Sequence, residues 1–187
     1  MQISVVRKFT KWSHYAFART MARRTAAERL RDAGIPRLLI VCYGNIYRSP
    51  FVERCLRTLG PAMDLQVRSA GFHRREGRQV EADFEEIARE KFGVDLSDHR
   101  SRLLTTDDLD WAQLILIMDG HNYRLMYDLH RDHLDKCLWL GAITPETPVT
   151  IADPYGTDLE QQRRIAGQLH AASRALAMRL NAMVIAT

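Results

Sequence analysis

The sequence predicts a single α/β domain with a parallel sheet, preceded by a basic helical extension. Short apolar runs of strand length alternate with stretches in which apolar residues recur every three or four positions. Strands separated by helices are typical of a parallel sheet with helices on both faces. The third observation is the charge, because the basic excess lies in the first 36 residues. We therefore divide the chain into an extension, residues 1–36, and a domain, residues 37–187.

The extension is predicted to be helical over residues 1–33, with Gly34 and Pro36 ending the helix. It carries eight Lys and Arg against two Asp and Glu, whereas the rest of the chain carries nineteen against twenty-one. The basic character thus belongs to the extension and is poor evidence for a nucleic-acid partner. The apolar positions of the helix are Val5, Val6, Phe9, Trp12, Tyr15, Ala16 and Met21.

Three roles fit this helix: packing on protein, lying on a membrane surface, and organelle targeting. Side chains such as Phe9 and Trp12 would form an exposed apolar patch unless something covered them. Arg19, Arg23 and Arg24 interrupt the clean polar face that a membrane-surface helix needs. We expect packing against protein, either its own domain or a second copy in a homodimer, without membrane association. We also expect the extension to stand apart from the chemistry of the domain.

The domain begins with an apolar strand and ends with a long amphipathic helix. Gly60 and Pro61 are predicted to end its first helix, and Gly93 its second. The apolar run of residues 114–117 is typical of a buried strand. The predicted strands are Leu38–Cys42, Leu65–Ser69, Ala112–Met118 and Cys137–Leu140. The predicted helices are Ser49–Leu59, Glu81–Phe92, His121–Asp132 and Thr157–Met183.

The loop after the first strand combines Cys42 with an arginine six positions later, Arg48. Unpaired N–H groups at the start of the next helix favour an anion there. A thiol at such a place ionises readily, its pKa falling from about 8.5 to about 3.5–7.5, and an arginine can hold two phosphate oxygens in its planar fork. Gly44 and Asn45 permit a tight turn, and Ser49 can donate a hydroxyl to the sulfur. These residue types indicate phosphoryl transfer through a cysteinyl-phosphate.

A bare Cys-x5-Arg pattern is weak, but the preceding strand, the internal Gly-Asn and the following Ser-Pro make it specific. The stretch VCYGNIYRSP, residues 41–50, resembles the active-site loop of the low-molecular-weight protein tyrosine phosphatases. The resemblance extends from about Arg37 to the C-terminus. It implies a four-stranded parallel sheet in the order 2-1-3-4 and hydrolysis of phosphotyrosine in proteins, with no metal and no other cofactor.

The same resemblance assigns roles to individual residues. It implies that Cys42 is the nucleophile and that Arg48 stabilises the phosphate oxygens. Asp153 lies in an Asp-Pro-Tyr sequence between the last strand and the last helix, where the family has its general acid; by itself, this sequence is a common turn. Ser69 and His99 are expected to hydrogen-bond with Asn45 and fix the loop. Met118, Asp119 and Asn122 are expected to act as supporting residues at the end of the third strand.

Several positions depart from the family pattern. Tyr47 replaces a second cysteine that usually pairs with the nucleophile in a protective disulfide. Arg75 stands where many relatives have an aromatic wall residue, and Tyr43 is bulkier than usual and can supply that wall. A single tyrosine, Tyr155, follows Asp-Pro, where some relatives have two. The expected substrate-binding residues are Tyr43, Gly44, Asn45, Ile46, Tyr47, Ser49, Arg75 and Tyr155.

We expect a cytoplasmic enzyme, because the sequence has no apolar run of membrane-spanning length and its three cysteines are sparse. Three alternatives stay open. Arsenate reductases share the loop but need further cysteines, and neither Cys55 nor Cys137 has a suitable place. Arginine phosphatases of the same superfamily carry Thr where Ile46 stands. A phosphate- or phosphopeptide-binding module without turnover is the third, although Cys42, Arg48 and Asp153 argue against it.

Overall fold

The computed structural model describes residues 2–32, 37–60 and 65–185, with side chains from residue 13 to residue 183 within these ranges. Some predictions fall outside the described part of the chain. These are the helix-ending residues Gly34, Pro36 and Pro61, and the side chains at positions 5, 6, 9 and 12. The helices are α1 Gln2–Asp32, α2 Arg48–Leu59, α3 Ala82–Phe92, α4 Thr106–Trp111, α5 Gly120–Leu129 and α6 Leu159–Ile185. The strands are β1 Leu38–Cys42, β2 Val67–Gly71, β3 Leu114–Ile117 and β4 Cys137–Trp139.

The four strands form one parallel sheet in the order β2-β1-β3-β4, which confirms the predicted fold class and strand order. All residues of β1 and β3 are buried, as expected for strands covered by helices on both faces. Cys42, the last residue of β1, pairs with Gly71 of β2, and Val41 pairs with Ile117 of β3. The carboxyl ends of the central strands therefore meet at one edge, where ligands bind in such sheets.

Some elements differ from the predicted boundaries because contacts distant in sequence decide them. The second strand runs to Gly71 rather than Ser69, since its last residues pair with the end of β1. Helix α5 ends at Leu129, and a 3-10 helix, Arg131–Lys136, follows it. The prediction missed α4, although Thr105 and Asp108 form a capping box at its start.

Helix α1 packs onto its own domain. Ala22, Ala26 and Leu30 are buried in the same core as the sheet. Arg29 donates to the carbonyl of Cys137 in β4, at 3.5 Å. This contact covers a backbone group of the edge strand. The expectation that the helix packs against protein is met within the chain itself. None of the described helices combines the length and apolar character needed to cross a bilayer.

The end of β2 lies directly against the loop that follows β1. Gly71 accepts a hydrogen bond from Leu104 N at 2.7 Å, and its own N–H donates to Arg102 O at 3.1 Å. A Cβ at position 71 would lie 2.8 Å from both Asn45 N and Tyr43 O. Backbone atoms cannot move aside as a flexible side chain can, so this close approach requires glycine.

We expect Gly71→Ala to destabilise the protein by about 1–3 kcal/mol, because the added methyl group overpacks a closed backbone contact. Gly167→Ala in α6 is the matched control, since the nearest atom to its Cβ would be Phe92 Cζ at 4.0 Å. Replacing this helical glycine should stabilise the protein by roughly 0.5–1 kcal/mol. Urea unfolding of both variants measures the two shifts; equal midpoints for Gly71→Ala and wild type would contradict the steric argument.

Candidate active site

The loop of residues 43–47 joins the end of β1 to the start of α2. Asn45 has φ +52°, the left-handed conformation that asparagine tolerates better than most residues. No side chain caps the start of α2 at Tyr47. The first N–H groups of a 12-residue helix are therefore available beside Cys42. This arrangement favours an anion at the loop.

The thiol of Cys42 is buried and receives hydrogen-bond donors from the loop. Asn45 N donates to Cys42 Sγ at 3.2 Å, and Ser49 Oγ lies 3.1 Å from the same sulfur. Asn45 Nδ2 donates to Ser49 Oγ at 2.9 Å, so the hydroxyl of Ser49 directs its own proton elsewhere, with the sulfur at 3.1 Å and Ala70 O at 3.5 Å as the acceptors within reach. These two contacts fix the position of the sulfur at the base of the loop.

Asn45 is the central brace of the loop. Its Nδ2 also donates to Ser69 Oγ at 3.0 Å, and its Oδ1 accepts from Arg102 N at 2.9 Å. Its carbonyl lies 2.7 Å from His99 Nε2. Burial lowers the pKa of His99, partly offset by this hydrogen bond, so the neutral ring donates from Nε2 to the carbonyl. The contacts expected between Asn45 and both Ser69 and His99 are present.

Arg48 is almost fully buried, with 1% of its side chain exposed, between two carboxylates. Nη1 donates to Asp119 Oδ2 at 2.5 Å, and Nη2 donates to Asp153 Oδ2 at 2.5 Å. Within the described part of the chain, Nε has no hydrogen-bond partner. Burial lowers the pKa of Arg48, but attraction to Cys42 and both carboxylates outweighs it and raises the pKa, so the guanidinium stays charged.

Above the loop lies an open cavity of about 240 Å³, with an aromatic character. The Tyr43 ring contacts the rings of His121 and His73, with centroids 5.1 and 5.7 Å apart. Tyr47 is buried against Phe84, with centroids 5.1 Å apart. Burial and the nearby Glu81 carboxylate raise the pKa of Tyr47 well above its ordinary value, so its phenol stays protonated. The cavity is lined by Cys42, Tyr43, Gly44, Ile46, Tyr47, His73, Arg78, Asp153 and Tyr155.

Three residues predicted to bind the substrate are not among those that line the cavity. The side chain of Asn45 braces the loop and that of Ser49 lies against the Cys42 sulfur, whereas Arg75 does not line the cavity. The cation at the cavity is Arg78, whose Nη2 donates to Gly44 O at 2.5 Å and whose Nε donates to Arg75 O at 3.1 Å. The sequence carries no local signal for Arg78 or His73, because the fold of residues 72–80 brings both to the loop.

Burial disfavours the thiolate form of the other two cysteines. Burial raises the pKa of Cys55, on α2, to about 12, and burial likewise raises the pKa of Cys137, on β4, to about 12. Both thiols are therefore protonated at neutral pH and are poor nucleophiles. The prediction that neither is placed to relay oxidation in an arsenate reductase stays untested by these pKa shifts.

Known proteins are similar to this chain in sequence. A model of the low molecular weight phosphotyrosine protein phosphatase family matches residues 37–185. A protein-arginine-phosphatase of Geobacillus stearothermophilus is 30% identical over 144 residues, which are 77% of this chain and 95% of that protein. The low molecular weight protein-tyrosine-phosphatase Etp of Escherichia coli strain K12 is 31% identical over 144 residues, 77% of this chain and 94% of Etp.

Solved structures show the same fold. The YwlE arginine phosphatase from Geobacillus stearothermophilus matches with a TM-score of 0.72 at 28% identity, covering 81% of this chain and 96% of that one. Vibrio vulnificus Wzb, solved in complex with benzylphosphonate, matches with a TM-score of 0.69 at 29% identity, covering 79% of this chain and all of Wzb, 100%. Since the family match spans β1, its loop and all three members of the Arg48 ion pairs, this chain belongs to the low molecular weight phosphotyrosine protein phosphatase family.

Proposed function

We propose that the protein hydrolyses phosphotyrosine in proteins through a cysteinyl-phosphate intermediate. One observation carries the proposal: the thiol of Cys42, which accepts a hydrogen bond from Asn45 N, lies at the base of an aromatic cavity that Asp153 also lines. The chemistry belongs to residues 37–187, and residues 1–36 form an appended extension. The sparse cysteines and a nucleophile that must stay reduced favour the cytoplasm. A homodimer through α1 stays a prediction, checked by the mass of the protein in solution.

In the first step, Cys42 Sγ attacks phosphorus in line with the bond to the tyrosine oxygen. The S–P bond forms as the P–O bond breaks. The N–H groups of the loop and the unpaired Nε of Arg48 stabilise charge on the three equatorial oxygens. Asp153 gives its proton to the leaving phenolate oxygen.

In the second step, water attacks phosphorus and breaks the S–P bond. Asp153, now a carboxylate, takes the proton of the water, and inorganic phosphate leaves. Ser49 donates to the sulfur as it departs, which stabilises the thiolate leaving group. The free Cys42 thiolate is then ready for another turnover, and no metal or other cofactor takes part in this scheme.

The walls of the cavity favour an aromatic phosphoester. Tyr43 and Tyr155 flank the entrance, and Ile46 presents an apolar side chain to it. Rings of this kind pack on a tyrosine ring by stacked or edge contacts. The similarity to arginine phosphatases makes phosphoarginine the second candidate. Ile46 makes phosphoarginine the weaker candidate, since arginine phosphatases of the superfamily that this chain resembles carry Thr at this position.

We expect Cys42→Ser to abolish turnover of aryl phosphates while retaining oxyanion binding, because the hydroxyl of serine is a far weaker nucleophile. Asp153→Asn should lower kcat by roughly 10²- to 10⁴-fold, since it removes the acid. Glu160→Gln, on the exposed start of α6, is the control and should behave as wild type. Steady-state kinetics on phenyl phosphate measures turnover of all three variants, and calorimetry with inorganic phosphate measures oxyanion binding by Cys42→Ser. Near-normal activity of Cys42→Ser would exclude the mechanism.

A peptide panel tests the substrate class. Wild type should hydrolyse phosphotyrosine peptides at least about tenfold faster, in kcat/KM, than phosphoserine or phosphoarginine peptides, because its cavity is aromatic. Ile46→Thr should shift the ratio towards phosphoarginine, whereas Ile46→Val, which keeps the apolar wall, should not. A preference of wild type for phosphoarginine would replace the first candidate with the second.

Oxidation tests the consequence of Tyr47. Without a cysteine at this position, peroxide should carry Cys42 past the sulfenic acid to irreversible acids. Activity should then stay lost after dithiothreitol, and Tyr47→Cys should make a large part of the loss reversible. Mass spectrometry of Cys42 reports the oxidation state. Recovery of the wild-type enzyme through a Cys42 disulfide would be the contrary result.

A further inference from the structure

We infer that α1 is a positioning element of the reaction, which holds the two carboxylates that orient Arg48. This inference rests on the proposed function, and it departs from the expectation that the extension stands apart from the chemistry. The structure assigns α1 two anchors on the domain. Tyr15 lies against the start of α5, next to Asp119, and Arg23 binds the segment that leads to Asp153.

The first anchor is a close contact between Tyr15 and Gly120. A Cβ at position 120 would lie 2.8 Å from Tyr15 Oη and 2.9 Å from Tyr15 Cε2. The Tyr15 ring is itself held by Tyr123 and Trp139, with centroids 5.8 and 5.9 Å away. A hydrogen bond of 2.5 Å between His14 Nδ1 and the Tyr123 hydroxyl adds to this contact. Tyr15 therefore cannot shift freely away from the start of α5.

The start of α5 contacts the site on both sides of Gly120. Asp119 caps the helix by accepting from Asn122 N at 2.8 Å, and its other oxygen holds Arg48. His121 packs against Tyr43, the wall of the cavity. A displacement of this turn moves the partner of Arg48 Nη1 and the cavity wall together. Tyr15 thus acts on phosphate binding through Asp119.

The second anchor is Arg23, whose guanidinium donates to backbone carbonyls after β4. Nη2 donates to Thr147 O at 2.7 Å, and Nη1 donates to Thr144 O. The same segment continues to Ile151, whose carbonyl accepts from Arg48 Nη1 at 3.2 Å, and then to Asp153. Because a charged donor fixes these carbonyls, Arg23 acts on the general acid through the segment that carries it.

The two anchors predict different kinetic defects, which a purely stabilising helix would not produce. Loss of the Tyr15 contact should weaken binding of oxyanions, since Asp119 orients the phosphate-binding arginine. Loss of the Arg23 contact should slow the hydrolysis of phosphate esters of weakly acidic phenols most. These leaving groups depend on protonation by the general acid. A misplacement of about 1 Å at such a site can cost about 10²-fold in rate.

The first experiment is a double-mutant cycle on full-length protein with Gly120→Ala and Tyr15→Ala. Gly120→Ala should weaken inhibition by inorganic phosphate about tenfold, because the new methyl group displaces Tyr15 and the turn. In the Tyr15→Ala background, which has room for the methyl group, the same change should have no further effect. Equal effects of Gly120→Ala in both backgrounds, or none in either, would overturn the first anchor.

The second experiment compares Arg23→Ala with Arg24→Ala. Arg24 is the matched control, because it is exposed, at 73%, and pairs with Glu28 on the same helix. Arg23→Ala should lower kcat for phenyl phosphate at least about fivefold more than for p-nitrophenyl phosphate, whose leaving group is more acidic, while Arg24→Ala changes neither. Arg23→Lys should restore part of the ratio. Equal losses on both esters would show that Arg23 only stabilises the fold.

Turnover by wild type separates this inference from the proposed function. If wild type hydrolyses neither ester, the proposed function fails. Phosphate affinity measured by calorimetry then still tests the first anchor through the same double-mutant cycle. If wild type is active and the variants show neither signature, α1 is not a positioning element and the inference alone fails.

Discussion

The structure depends on one constraint: Arg48 is a buried cation whose charge must be balanced. An unpaired buried charge costs several kcal/mol, so the surrounding chain supplies two carboxylates and a carbonyl. Asp119 comes from the end of β3 and Asp153 from the segment after β4. The same guanidinium also attracts Cys42, at the end of β1. The anion site therefore forms only when three strands are in register, and folding and site formation are linked.

Patterns among neighbouring residues predicted much of the fold, although the local capping box of α4 was missed. The apolar runs gave β1 and β3, and the strand–loop–helix pattern placed Cys42 and Arg48 at one junction. Asn45 has a left-handed backbone, as its residue type suggested. The family resemblance added Asp153 and the contacts of Asn45, which composition and spacing alone did not give.

Features that depend on contacts between residues distant in sequence were not predicted. The extent of β2 follows from pairing with β1 up to Gly71, which the Leu65–Ser69 prediction did not anticipate. Arg78 rather than Arg75 reaches the cavity because its guanidinium bridges two carbonyls, Gly44 O and Arg75 O. Each arginine in this stretch has the same local appearance, and only the folded loop distinguishes them. Charge near a site can therefore be predicted from sequence more readily than the residue that supplies it.

The position of α1 explains how an extension can affect the site without entering it. β4 is an edge strand, and such strands need cover. A helix that covers β4 along its length also reaches the carboxyl end of the sheet, where Asp119 and the segment before Asp153 lie. Because of this one location, α1 both covers the edge of the sheet and contacts the segments that carry the partners of Arg48. The family match starts at residue 37, so the α1 residues that make these contacts lie outside the matched region.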